Sequence, residues 1–196
     1  MRWDDHQTRQ PKRPKIRHAG PFVNHRTQVT SSTIGIDPGS RYTGFGVVAS
    51  TNGRFRHLGS GVIRVPTTLS FPERLGFIHR QIIAIIAEFR PESMAVEDVF
   101  IAANVKSAMK LGQARGAAIV AGVNAGLDVH EYSALQIKQA VVGYGRAAKE
   151  QVTKMIQTLL LLPGPINPNA ADALAVALCH LNTHAFRMRC QRSAES

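Results

Sequence analysis

Cysteine is almost absent: Cys179 and Cys190 are the only two in 196 residues. They stand eleven apart, with no second pair and no His/Cys ligand spacing around them. That argues against both a disulfide framework and a structural zinc site, and a reducing cytoplasm is the compartment expected. No apolar run approaches the roughly 18 to 20 residues needed to span a bilayer, so no membrane partner is expected. The first thirty residues have no apolar core of a secretory signal, and Asp4-Asp5 is out of place in an organellar transit peptide. Acidic side chains are scarce, 13 against 24 Lys and Arg, for a net charge of +11. Residues 1–30 hold +5 of that, residues 31–185 +4 and residues 186–196 +2. A balance this basic points to a polyanion such as nucleic acid, but the central part is only mildly basic. The positions of its few Lys and Arg therefore matter more than the sum.

What is present has a globular composition, 44% apolar and 19% charged, in a chain long enough for one domain with a real core. Pro11, Pro14 and Pro21 among Lys12, Arg13, Lys15 and Arg17 leave residues 1–32 little apolar surface to bury, so they are expected to form a disordered basic arm. A folded domain is expected over 33–185 and a flexible basic tail over 186–196.

From Thr33 the texture changes. Thr33 to Asp37 reads as a strand stopped by Pro38-Gly39-Ser40, Gly44 to Ala49 as a second, and His57 to Val65 as a third after the Asn52-Gly53 turn. Ser70-Phe71-Pro72-Glu73 has the cap, early proline and third-position glutamate of a helix start. Leu75, Ile78, Ile82, Ile85, Ile86 and Phe89 then recur at helical spacing up to Arg90-Pro91. Ser93 to Val99 predicts a fourth strand and Leu127 to Tyr132 a fifth. Between them, Asn104 to Asn124 is rich in Gly and Ala, which predicts a helix packed on more than one side. Helices are expected over Ala134–Val142, over Ala147–Leu161 and from Asn167-Pro168 through Leu181. The fold expected is an α/β layer structure, a five-stranded mixed sheet with helices on both faces.

Four polar positions interrupt otherwise apolar surroundings: Asp37 at the first strand end, Glu97 in the fourth strand, and Asn169 and Asp172 opening the last helix. Singly, each has an ordinary reading as a turn former, a solvent-facing strand-end side chain or a helix cap. Asn169 and Asp172 are three apart and share a helix face. If that helix crosses the sheet, they meet the strand-end carboxylates. Such a cluster repels itself unless a hard divalent cation with oxygen ligands holds it, and magnesium is the natural choice. Two such ions roughly 3.5 to 4 Å apart activate a water and stabilise a leaving oxygen in phosphodiester hydrolysis.

The stretches Gly35-Ile36-Asp37-Pro38-Gly39-Ser40 with Thr43-Gly44-Phe45-Gly46, Val96-Glu97-Asp98-Val99-Phe100, Leu111-Gly112-Gln113-Ala114-Arg115-Gly116, Val141-Val142-Gly143 and Ala171-Asp172-Ala173-Leu174-Ala175 closely resemble the RuvC-type Holliday junction resolvases of bacteria. The resemblance covers about residues 33 to 182. It implies a ribonuclease H-like fold and a homodimer that makes paired magnesium-dependent nicks in four-way junction DNA during recombination and repair. It also implies two Mg2+ per active site, with Mn2+ as a substitute. The family's acidic tetrad falls on Asp37, Glu97, Asn169 and Asp172, as catalytic residues and metal ligands alike. Phe100 matches an aromatic that contacts DNA near the junction, and Lys138 and Lys149 match lysines around the scissile phosphate. Arg146, Lys106, Lys110 and Arg115 extend the same stripe. A branch-migration complex is a further partner such a resemblance raises, with no residue of this sequence assigned to it.

One member of the tetrad departs from the pattern. Where the family has Asp, or His in some members, this chain has Asn169, which is isosteric with Asp but uncharged and unable to act as a base. A junction-binding protein with impaired turnover is therefore the main rival to an active endonuclease. The Gly-Ile-Asp-Pro-Gly loop also resembles the phosphate loop of actin-like ATPases, but the chain is too short for their two lobes and has one such loop. The eight histidines show no ligand spacing and are read as surface or packing residues.

Overall fold

A computed structural model of the chain describes residues 15–18, 31–98 and 105–194. The elements in order are β1 (Lys15–His18), β2 (Ser31–Asp37), β3 (Tyr42–Thr51), β4 (Arg54–Arg64), α1 (Phe71–Phe89), β5 (Ser93–Asp98), α2 (Val105–Asn124), β6 (Asp128–Ser133), α3 (Ala134–Val142), α4 (Lys149–Leu159) and α5 (Pro168–Ala194). The strands form one sheet in the order β1-β4-β3-β2-β5-β6. Pairing is antiparallel through β1, β4, β3 and β2, then parallel from β2 to β5 and β5 to β6. The five strands expected are all present in a mixed sheet with helices on both faces. β1 adds a sixth at the edge.

That sixth strand corrects the expectation for the basic arm, whose residues 15–18 pair with Gly59 to Val62 of β4. A long β4 leaves a row of unmatched backbone donors and acceptors on its outer side, and four extended residues satisfy part of it whatever their side chains. Ser31 and Ser32 likewise belong to β2. At the other end, α5 runs 27 residues to Ala194, into the stretch expected to be a flexible tail. Between Pro168 and Ala194 no Pro or Gly interrupts it, so nothing in the chain stops the helix at 185.

Local sequence explains the main boundaries. The capping box at the start of α1 forms as predicted: the Ser70 backbone N–H and hydroxyl both donate to Glu73 Oε2, at 2.7 and 2.6 Å. The helix ends where Arg90 turns left-handed (φ 48°) before Pro91. On one face of the sheet, Ile78, Ile82 and Ile85 of α1 and Ala114, Ala118 and Ala121 of α2 bury Ile34, Ile36, Phe45 and Val96. On the other, Leu174, Val176, Ala177 and Leu178 of α5 with Ile137, Val152 and Ile156 cover Val48, Ala95 and Tyr132. Within this chain α2 packs against α1 and, through Gly122 beside Met94 and Val129, against the sheet. Val105, Met109, Val120 and Val123 stand exposed, and a Cβ at Gly112 or Gly116 would meet nothing within 4 Å.

The central helix α5 lies unusually close to the sheet because glycines remove the side chains beneath it. A Cβ on Gly35 would overlap the Ala173 carbonyl oxygen and crowd the Ala177 amide. One on Gly44 would overlap the carbonyl oxygen of Asn169. Strand alternation puts Gly35 and Asp37 on the same face, so the glycines that admit α5 also set its first turn over the end of β2.

Candidate active site

Asp37 is the last residue of β2 and Glu97 the penultimate residue of β5, and the two strands are parallel neighbours in register up to Ile36 and Val96. The alternation that turns Gly35 and Ala95 toward α5 turns Asp37 and Glu97 the same way. Asp37 pairs across β2–β3 with Gly44, on which the Asn169 backbone rests. Pro168 opens α5 after Asn167, whose side-chain carbonyl accepts from the Asn169 amide at 3.0 Å. One turn further on, Asp172 meets Lys149, the first residue of α4. Its ammonium donates to Asp172 Oδ2 at 2.6 Å.

Glu97, Asp172, Lys149 and Lys138 line one open cleft of about 340 Å3, whose apolar wall is Ala134, Ile137, Val152 and Ala175. The electrostatics show the three carboxylates acting on one another. Burial, then Asp172 and then Glu97 push the Asp37 carboxyl up to about 7, with Lys149 opposing. Glu97 is also held above the ordinary carboxylate range, first by desolvation and then by Asp172, while Lys149 and Lys138 pull it back. The Lys149 ammonium is raised mainly by its hydrogen bond to Asp172. This is an electronegative nest with one lysine drawn into it.

The donor set is oxygen only, three carboxylates and the Asn169 amide carbonyl, which suits a hard cation such as magnesium and disfavours zinc or copper. Among the described residues no group of three or more His, Cys, Asp or Glu stands close enough together to hold a metal ion. The Lys149 ammonium supplies positive charge beside the carboxylates. The donor chemistry, oxygen only, would suit a hard divalent cation.

Five of the seven residues singled out in the sequence lie in or at this nest, with Asn169 there through its backbone position over Gly44. Lys138 is at the cleft wall. Phe100 lies outside the described residues. The wider basic stripe needs correction: the Arg115 guanidinium is bound inside the protein by Asp98 Oδ1 at 3.3 Å and by Glu131. Lys110 sits over the Phe71 ring, 5.6 Å from its centroid. Lys106 and Arg146 are exposed. The Arg115 pairs escaped a reading by spacing because their partners come from two strands, distant in sequence. The clue available was two acids, Asp98 and Glu131, at strand positions whose alternate neighbours are core. His180 is a packing residue, buried, with Nδ1 at 3.0 Å from the Tyr132 hydroxyl.

Residues 33–180 match the family model of the crossover junction endodeoxyribonuclease RuvC. The chain belongs to the RuvC family. Among its curated relatives, the crossover junction endodeoxyribonuclease RuvC of Citrifermentans bemidjiense is 57% identical over 150 residues, 76% of this chain and 92% of the relative. That of Alkalilimnicola ehrlichii is 51% identical over 160 residues, 82% of this chain and 96% of the relative. The solved structure of T. thermophilus RuvC in complex with a Holliday junction substrate superposes with a TM-score of 0.75 at 39% identity, covering 79% of this chain and 94% of that one. The yeast mitochondrial Holliday junction resolvase Ydc2 shares the fold, with a TM-score of 0.61 at 12% identity and coverage of 83% and 84%. No helix among the described residues is long and apolar enough to cross a membrane.

Proposed function

We infer that this chain is a structure-specific endonuclease that resolves four-way DNA junctions by paired nicks, leaving 5′ phosphate and 3′ hydroxyl ends. The observation that carries the reading is the convergence of Asp37, Glu97 and Asp172 at one end of the sheet with Lys149 among them, in a chain of the RuvC family. Asp37, Glu97, Asp172 and the Asn169 carbonyl are the ligands for magnesium, two ions per site, with manganese as a substitute. When bound, the metal supplies Lewis-acid activation of water and neutralises charge building up on the phosphate. The protein's own part is positional. Asp37 and Glu97 are fixed by strand ends, Asp172 by the start of a helix that glycines seat against the sheet. Lys149, at the mouth of the cleft, and Lys138 on its wall are the cations that would meet a phosphate oxygen.

The working form is proposed to be a homodimer. The exposed apolar face of α2, with Val105, Met109, Val120 and Val123, is the surface offered for it, since a twofold protein suits a nearly twofold junction. Phe100 is proposed to stack on a junction base. A branch-migration complex is proposed as a further partner and the cytoplasm as the location.

The deciding experiment is cleavage of a mobile four-way junction beside linear duplex of the same sequence, with and without magnesium. Cutting confined to the junction and to the metal supports the reading; equal cutting of duplex, or none of either, contradicts it. A second reading, junction binding with impaired turnover, is favoured by Asn169. A gel shift without cleavage on the same substrate in magnesium or manganese would select it.

A further inference from the structure

Glu97 and Asp98 are consecutive in β5 and therefore point to opposite faces of the sheet. Glu97 faces the cleft and α5. On the other face, Asp98 is held by the Arg115 guanidinium of α2, which also pairs with Glu131 on the neighbouring strand β6. The Arg115 side chain is 22% exposed, and its Nε is buried without a hydrogen-bond partner among the described residues. The guanidinium is therefore mostly buried and paired with two half-exposed carboxylates.

The clamp sits at the end of β5. Pairing of β5 with β6 ends at Asp98 and Ser133, and the register of β2 with β5 is complete by Ile36 and Val96. Glu97 and Asp98 are thus held by the β6 ladder alone, opposite Tyr132 and Ser133, past the end of the β2 ladder. Glu97 itself lines the cleft together with Asp172, so the two carboxylates face the same space. Arg115 binds the next residue from below and ties it to β6, and its planar fork holds two carboxylates at once in a way an ammonium cannot.

We propose that Arg115, through Asp98 and Glu131, is a positioning residue that fixes the strand end bearing Glu97 for metal-dependent cleavage, and that it does not contact DNA. The inference rests on the endonuclease reading above and deepens it.

The test compares wild type with Arg115→Met, Arg115→Lys and Asp98→Asn as full-length proteins. It reads kcat and KM on a four-way junction, the magnesium concentration for half-maximal rate, and junction affinity with its salt dependence in EDTA. Arg115→Met is expected to lower kcat about 10- to 100-fold, the usual loss when a group supporting a metal ligand is removed, and to raise the magnesium requirement. KM, junction affinity and the salt slope stay at wild-type values, and Arg115→Lys recovers part of kcat. Asp98→Asn, which removes one of the two pairs and leaves the guanidinium in place, gives a smaller change in the same direction and serves if Arg115→Met does not fold. Wild-type kcat in Asp98→Asn together with wild-type or no folded Arg115→Met overturns the proposal. So does a loss of junction affinity with a shallower salt slope, which marks a phosphate contact. A wild-type protein that cuts no junction instead removes the endonuclease reading, a result separable from all of these.

Discussion

Lys149 donates to Asp172 across 2.6 Å, linking the first turn of α4 to the second turn of α5 over the mouth of the site. The same ammonium lowers the Asp37 and Glu97 pKa values, so one lysine partly neutralises three carboxylates. On the proposed function, a divalent cation bound at these carboxylates would compete with Lys149 for the same negative charge.

Replacing Lys149 with Met removes that competitor. The lysine is more than half exposed, so the pair is worth little in energy, and binding of Mn2+ to the free protein should tighten about two- to fivefold by calorimetry. Junction cleavage should fall about 100-fold because a donor to the phosphate is lost. Weaker metal binding together with lost cleavage would show that Lys149 supports the carboxylates in place.

Asp37 gives the pH dependence of stability its sign. Its carboxyl ionises near 3.8 when unfolded and near 7 when folded, so between those values the unfolded chain binds fewer protons than the folded one. Stability in EDTA should therefore fall as pH rises from about 4 to 7, and the Glu97 shift adds in the same direction. Asp37→Asn should stabilise the metal-free protein by about 1–3 kcal/mol at pH 8 and have no such effect below pH 4. Thermal melts across that range check both statements. Added magnesium should stabilise wild type at pH 8 and move the acid limb of cleavage to lower pH, because metal and protons compete for the same oxygens.

Asn169→Asp adds a fourth carboxylate. In EDTA it should lower Tm through added repulsion; in magnesium it should raise junction cleavage about 10- to 100-fold. Equal or lower cleavage by this variant would remove position 169 from the metal-binding set.

Gly44→Ala puts a methyl group into the Asn169 carbonyl and must lift the first turn of α5. A cost of about 1–3 kcal/mol in stability is expected from overpacking, with a loss of cleavage larger than any loss of junction binding. An unchanged melting temperature would show that α5 is not seated by this contact.

Much of this was legible in the sequence, and particular residues show why. Ser70 and Glu73 announced the α1 cap because both partners lie within one turn. The hairpin strands and Asp37 before Pro38-Gly39 were readable from alternation and a breaker. The carboxylate positions came with the family's motifs, whose order along the chain spacing could check. What stayed hidden depends on residues that meet only in space. β1 is a strand because β4 offers a bare edge, not because Lys15 to His18 has a strand pattern. Arg115 read as a DNA contact until Asp98 and Glu131 were found against it. The packing of α2 depends on which of its small residues face α1 and the sheet.

The convergence of three carboxylates into one catalytic nest is tested most directly by Asp37→Asn, Glu97→Gln and Asp172→Asn, each assayed for both binding and magnesium-dependent cutting of a four-way junction. Each variant should bind the junction about as well as wild type and cut at least about 1000-fold more slowly. Any one of them cutting within about tenfold of wild type would contradict a shared metal site.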